Sequence, residues 1–289
     1  MPSTPTSPLP SNELPEPSSS SQRSLASTGL AEALTALEME YDAEVSVSVV
    51  EPGGAEPFGF HHTERRGFAS TIKAVIAAAA FAQLSADERD ETVTWTREKV
   101  SLSGYSPVTS EHFDDGLTLS ELIEASVRYS DNTATNLVLQ RIGGPDVVNE
   151  ALAALGDDVT NLADEEPALN YISEASAANT TTSLAIAQTL QNIVDSDYLE
   201  AEDRTLLLDL MSGNATGDSL IRAGAPAGWE IADKSGGAGA IRNDIAVAYP
   251  PQGDPVIITI LTTRTDRSKP YDDKLVEDAA SAVFDALAN

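Results

Sequence analysis

The hydrophobic pattern changes character twice along the chain. Leu, Ala and Met recur at helical spacing from Leu30 to Tyr41, and Val45, Val47 and Val49 then alternate with Ser46 and Ser48. The first stretch predicts a helix and the second a half-buried strand. Pro52-Gly53-Gly54 is a turn signal leading to a short strand around Phe58 to His62. From Ser70 to about Met211 the periodicity is helical, broken by loops. Thr71 to Leu84 is almost entirely helix formers. Leu119 to Tyr129 and Thr133 to Ile142 predict two more helices. Gly143-Gly144 stops the second, and Pro145 is suited to open the next, over Asp146 to Leu155. Residues 161–179 lack periodicity and contain Pro167, which predicts a long loop of the kind that often carries function.

Strand patterns return after Asp218, over Glu230 to Asp233, Asp244 to Tyr249 and Val256 to Thr262, with a hairpin turn at Gly253-Asp254-Pro255. Tyr271 to Leu287 closes the chain as an amphipathic helix. Strands at both ends with helices between predict an α/β fold of the α+β sandwich kind. An antiparallel sheet from the two ends is flanked by helices, with an all-helical lobe inserted. The α/β lobe is expected over about 26–68 and 213–289, and the helical lobe over about 69–212. Residues 1–25 are Ser/Pro-rich with little apolar content and predict a disordered tail.

The chain of 289 residues is long enough for a full core in one domain or two lobes. It carries 46 acidic against 17 basic residues, a net charge of −29. Such a field disfavours nucleic acid and anionic membranes as partners, and fits adaptation to high salt. The absence of cysteine excludes disulfides, a thiol nucleophile and zinc–cysteine sites. The longest apolar run, Ala74 to Ala82, is too short to span a membrane, so no membrane insertion is expected. No signal peptide is visible after Met1. His61, His62 and His112 lack ligand spacing and read as surface residues, so no metal site is expected.

Four short motifs carry candidate chemistry. Ser70 stands one helical turn before Lys73, so the two share a face at a helix N-terminus, where free N–H groups favour negative charge. Ser130-Asp131-Asn132 falls at a break between two helices, Glu166 to Asn170 in the long loop, and Lys234-Ser235-Gly236 at the end of a strand. Each alone has a plainer reading: Ser70 as a helix cap, Ser130-Asp131-Asn132 as a capping turn, Glu166 as a solvated carboxylate. Ser212-Gly213-Asn214 has the outer residues of the second motif and reads as just a turn. Together, in order, the four form an activated serine with a proton relay through Lys73 and Ser130. Glu166 is then a candidate base for water, Lys234 a partner for an anionic group, and the backbone after Gly236 an oxyanion donor beside the Ser70 N–H. No Gly-x-Ser-x-Gly elbow or paired histidine supports a Ser-His-Asp hydrolase.

This motif set resembles that of the class A serine β-lactamases. Tyr105-Ser106-Pro107-Val108, Ile142 to Pro145 and Trp229 to Asp233 extend the similarity, which runs from about residue 28 to the C-terminus. The resemblance implies that Ser70 is acylated, that Lys73 is its hydrogen-bonded partner, and that Ser130 passes a proton to the lactam nitrogen. Asn132 would bind the acyl side-chain amide. Glu166 would activate the deacylating water, held with Asn170. Lys234 and Ser235 would bind the carboxylate region, Ser70 and Gly237 would form the oxyanion hole, Tyr105 would wall the entrance, and Arg242 would lie near the carboxylate. The acylation base is Lys73 or Glu166.

The family commonly pairs an Arg at the start of the long loop with an Asp near its end. Here those places hold Asp164 and Asn179, which implies a weaker amide–carboxylate bond and a looser loop. The resemblance implies a β-lactam substrate, no cofactor, and a monomer that acts outside the cytoplasm. The alternatives are a penicillin-binding D-Ala-D-Ala peptidase, which lacks the loop base, and a non-catalytic β-lactam sensor, which needs a trapped acyl state.

Overall fold

The computed structural model describes residues 19–51, 57–173 and 175–288, with side chains from residue 28 onward. The turn expected at Pro52 to Gly54 and the first 18 residues of the expected tail lie outside the described residues. In chain order the elements are α1 (Ser19–Tyr41), β1 (Ala43–Val50), β2 (Phe58–Phe60), β3 (Arg65–Gly67), α2 (Lys73–Gln83), α3 (Ala86–Arg89), β4 (Thr92–Val93), α4 (Arg97–Ser103), β5 (Leu117–Thr118), α5 (Leu119–Arg128), α6 (Asn132–Ile142), α7 (Pro145–Ala154), β6 (Thr180–Thr182), α8 (Ser183–Asp195), α9 (Ala201–Ser212), α10 (Ile221–Gly224), β7 (Glu230–Ala238), β8 (Ile241–Tyr249), β9 (Val256–Arg264) and α11 (Asp273–Leu287). Helix α1 therefore begins at Ser19, inside the segment expected to lack structure.

Five strands form one antiparallel sheet in the order β2-β1-β9-β8-β7, joining the two ends of the chain as the pattern predicted. One face packs under α1 and α11, where Val45, Val47, Ile258 and Ile260 meet Leu34, Val276 and Phe284. The other face supports the helical layer, with Ile245, Val247 and Ile257 against the larger core. β1 differs from expectation in burying both faces: Ser46 and Ser48 are fully enclosed. The reason is α8, which covers the second face; the Ser48 hydroxyl bonds the Ser183 hydroxyl at 3.0 Å.

α2 lies at the centre of the helical layer, with every residue from Lys73 to Phe81 buried. Its run of alanines lets α5, α6, α7 and α9 approach closely, and a helix apolar all round is a buried one. Local signals set the neighbouring boundaries. Thr118 and Glu121 form a capping box on α5, Asp131 caps α6 by accepting from the Ala134 N–H, and left-handed Gly143 ends α6 before Pro145 opens α7. β7 runs on to Ala238, so Lys234-Ser235-Gly236 lies within a strand rather than at its end. The hairpin partner explains this: Lys234, Gly236 and Gly237 pair with Ile245, Asn243 and Arg242.

Candidate active site

The cleft lies between the helical layer and β7, with a volume of about 560 Å³. A 3₁₀ turn, Ala69–Ile72, carries Ser70 and leads into α2 at Lys73. Ala69 before it has φ of 47°, a left-handed conformation that costs a non-glycine residue about 1–2 kcal/mol. Ser130, between α5 and α6, is left-handed too, at φ 56°. Strain of this kind persists only where surrounding contacts fix it. At Ser130 the contacts come from Asp131. Its carboxylate accepts from the N–H groups of Val108, Thr109 and Ala134 and from the Thr109 hydroxyl, all at 2.8–3.0 Å.

Lys73 is entirely buried. Its Nζ donates to Asn132 Oδ1 at 2.6 Å and the Ser130 carbonyl at 2.9 Å, and lies 3.0 Å from Glu166 Oε1. With Ser130 Oγ at 3.4 Å these acceptors engage all three N–H groups of an ammonium, which has no lone pair to accept a bond. Ser70 Oγ consequently donates to Glu166 Oε1, at 3.3 Å, and not to Lys73 as the resemblance implied. Burial pushes the Lys73 amine below its ordinary value, opposed by the Glu166 charge. Lys234, also fully buried, donates to Ser130 Oγ at 3.3 Å. Burial, with Lys73 close by, lowers it to about 7. The Ser130 hydroxyl thus sits between two lysines, with Lys73 Nζ at 3.4 Å.

Glu166 is 4 % exposed, and a residue the motifs did not reveal holds it. Asn136 Oδ1 accepts from the Glu166 N–H at 2.9 Å, and Asn136 Nδ2 donates to the Glu166 carbonyl at 2.8 Å. Asn136 lies one turn after Asn132 on α6, so helical spacing was the available signal. Asn170 Nδ2 donates to Glu166 Oε2 at 2.6 Å, and its own buried Oδ1 has no hydrogen-bond partner among the described residues. The two charges flanking Glu166 are directed elsewhere: Glu165 to Gln140, and Asp164 to Asn179.

Asn179 closes the neck of the loop. Its Nδ2 donates to Asp164 Oδ2 at 2.8 Å, and its Oδ1 accepts from the N–H groups of Ala163 and Asp164 at 3.0 and 3.2 Å. Its backbone N–H donates to the Asn161 carbonyl at 2.8 Å. The changed pair is therefore in contact, as the sequence implied.

Across the cleft, Ser235 Oγ bonds Thr216 Oγ1 at 2.6 Å. Gly236 packs so tightly that a Cβ there would lie 3.0 Å from both the Phe68 carbonyl and the Ser70 nitrogen. This close approach brings β7, and with it Gly237, against the Ser70 segment. Arg242 reaches the cleft despite the short hairpin before it. Its Nε donates to Asp273 Oδ1 at 2.6 Å and its guanidinium lies over the Tyr271 ring. Tyr105, 60 % exposed, stands at the rim, held through the Asn132 N–H bond to its carbonyl at 2.8 Å. The cleft lining thus unites Ser70, Ser130, Asn132, Glu166, Asn170 and Ser235 with Gly237, Arg242 and Tyr105. Thr216 and Tyr271 join them without any motif to announce them. Behind the strand, Asn214 is no mere turn residue: it is buried and donates to Asp233, which also pairs with Arg222.

Comparison with known proteins agrees with this geometry. Residues 29–287 match the beta-lactamase enzyme family. The chain is 42 % identical over 252 residues to a β-lactamase of Bacillus licheniformis, covering 87 % of this chain and 81 % of the relative. It is 43 % identical over 256 residues to β-lactamase 3 of Bacillus cereus, covering 88 % and 80 %. The crystal structure of a class A β-lactamase from Clostridium kluyveri superposes with a TM-score of 0.85 at 37 % identity, covering 90 % of this chain and 98 % of that one. That of a halotolerant bacterial β-lactamase gives 0.84 at 38 %, covering 89 % and 98 %. The fold and the cleft are those of a hydrolase class with a lysine–glutamate pair beside a buried serine. The chain belongs to the class A serine β-lactamase family.

Proposed function

We propose that the chain hydrolyses β-lactam antibiotics, penicillins and cephalosporins, through a Ser70 acyl-enzyme that a Glu166-activated water deacylates. The observation that carries this reading is the position of Glu166 Oε1, within hydrogen-bond reach of both Ser70 Oγ and Lys73 Nζ. In acylation Ser70 Oγ bonds to the lactam carbonyl carbon and its proton leaves toward Glu166. With the Lys73 ammonium saturated, the geometry favours that direction over direct transfer to Lys73. The N–H groups of Ser70 and Gly237 stabilise the oxyanion. As the C–N bond breaks, the nitrogen takes the Ser130 proton, Lys73 replaces it, and Glu166 passes the proton taken from Ser70 on to Lys73, so that Glu166 is a carboxylate again before deacylation.

In deacylation water gives a proton to Glu166 and bonds to the ester carbon. The C–Oγ bond breaks and the proton returns to Ser70. Asn170 Oδ1, without a hydrogen-bond partner among the described residues, is available to accept from that water. Lys234, Ser235 and Arg242 bind the substrate carboxylate end, Asn132 the acyl amide, and Tyr105 flanks the acyl group.

The chemistry calls on no cofactor. The site lies in a single domain over 26–289 whose α/β and helical lobes meet at the cleft. A monomer acting outside the cytoplasm is part of the same proposal and rests on family resemblance; no helix among the described residues is long and apolar enough to cross a membrane. Benzylpenicillin hydrolysis, followed by loss of lactam absorbance with intact-protein mass in parallel, tests the reading. Many turnovers, abolished by Ser70→Ala, are expected. A single stoichiometric burst with a stable adduct would favour a penicillin-binding peptidase or a sensor instead.

A further inference from the structure

A fully buried amide outside the reaction centre bolts the nucleophile's backbone to the sheet. Asn243 sits in β8 directly opposite Gly236, with no exposed surface. Its Nδ2 donates to the Gly67 carbonyl at 2.8 Å and to the Phe68 carbonyl at 3.1 Å. Its Oδ1 accepts from the Thr262 N–H at 3.0 Å, which fixes the amide from the neighbouring strand. Both donor hydrogens of the side chain are therefore committed to the two carbonyls that precede Ala69.

The location gives these bonds their consequence. The Phe68 carbonyl belongs to the peptide unit just before Ala69, whose left-handed φ of 47° turns the next N–H, that of Ser70. A small rotation there re-aims the Ser70 N–H. On the other side of the same register position, Gly236 lies so near the Ser70 segment that a Cβ there would come to 3.0 Å from the Phe68 carbonyl oxygen and the Ser70 nitrogen, and it leads into Gly237. One side chain thus sets both the strained peptide ahead of Ser70 and its spacing from the strand that supplies the second donor.

We propose that Asn243 is a positioning residue for the oxyanion hole formed by the N–H groups of Ser70 and Gly237. This rests on the acyl-enzyme reading above. Removing one donor from such a hole lowers turnover by roughly 10²–10³-fold; misaiming one, with the donor still present, lowers it by about 10- to 100-fold on the same scale. Asn243→Ala is expected to do this in kcat, with little change in KM, because the carboxylate-binding side chains are untouched. Asn243→Ser, which keeps one donor, is expected to fall between.

The distinguishing readout is spectroscopic. In a Glu166→Gln parent Lys73 loses the charge that opposes its burial and can take the Ser70 proton in place of Glu166, while deacylation is left without a base. The parent should slowly accumulate the benzylpenicillin acyl-enzyme, and the infrared stretch of its ester carbonyl reports polarisation by the hole. Adding Asn243→Ala or Asn243→Ser should move that band to higher wavenumber and slow adduct formation. A lowered melting temperature with an unchanged band and acylation rate would overturn the inference and leave Asn243 a packing residue. If Asn243→Ala does not fold, the Asn243→Ser result decides by the same two measurements. No adduct on the Glu166→Gln parent would overturn the acyl-enzyme reading, and this inference with it; an adduct on the parent with an unmoved band in the variants overturns only the role of Asn243.

Discussion

Asn179→Ala should destabilise the fold and slow deacylation more than acylation. The substitution removes two bonds from backbone N–H groups to Oδ1, at 3.0 and 3.2 Å, and one from Nδ2 to the Asp164 carboxylate at 2.8 Å. Asn179 is 1 % exposed, so water cannot readily replace them. The neutral bonds are worth about 1 kcal/mol each and the bond to carboxylate about 1.5–3. Asn179 also has φ of 58°, which alanine tolerates less well, at about 1 kcal/mol. Because the bonds share one side chain they do not simply add, and the expected loss is about 3–5 kcal/mol. Urea unfolding measures it. Ala163 and Asp164, freed by the substitution, lie just before Glu166, so the general base loses its anchor on one side. Stopped-flow hydrolysis of a cephalosporin should then show a burst that the parent lacks, with the adduct visible by mass. A loss below about 1 kcal/mol without a burst would refute the reasoning. It would mean that the backbone bonds joining Asn161 to Asn179 and Thr180 close the neck unaided.

Lys234, lowered to about 7, should make kcat/KM for a carboxylate-bearing β-lactam fall as pH rises through about 7, since only the ammonium attracts the anion. Lys234→Arg should flatten that limb, and an unchanged profile would count against the assignment. The same depressed value means that the unfolded chain binds more protons between about 7 and the ordinary 10.5, so this group's contribution to stability rises with pH across that window. Gly236→Ala should lower acylation sharply, because its Cβ would press on the Phe68 carbonyl and the Ser70 nitrogen, both backbone atoms; near-parental acylation would show that the segment yields freely. With a net charge of −29, the melting temperature should rise between 0.1 and 1 M NaCl as the screening length falls from about 10 to 3 Å, and a flat response would argue against salt adaptation.

The four motifs were legible because their chemistry demands particular residue types, and the cleft brings them together. What escaped notice depends on which backbone arrives beside a side chain. Asn136 and Asn243 look like ordinary polar residues until α6 meets the Glu166 loop and β8 meets the Ser70 segment. Ser46 and Ser48 suggested a solvent face because alternation cannot distinguish water from a second covering layer, here α8 with its Ser183. The strand through Lys234 runs past the expected end at Asp233 because pairing with residues 241–245 overrides the poor strand preference of its glycines. The Ser70 hydroxyl bonds Glu166 rather than Lys73, and spacing along α2 does not show this because the other acceptors around Lys73 come from α6 and its approach.

α1 and α11 pack side by side on the sheet, linked by Tyr41 Oη donating to Asp278 at 2.6 Å, and α11 meets the cleft at its first residue, Asp273, which holds Arg242. That contact lies at the start of α11, so the reactive groups are insulated from how the chain is joined at the helix's other end. A linker joining α11 back to α1, with new ends cut at the exposed turn near Gly253, would rearrange the order of the chain without touching a single cleft contact. Such a permuted chain could be rebuilt as two complementing fragments, whose recovered hydrolysis would report on whatever brings them together.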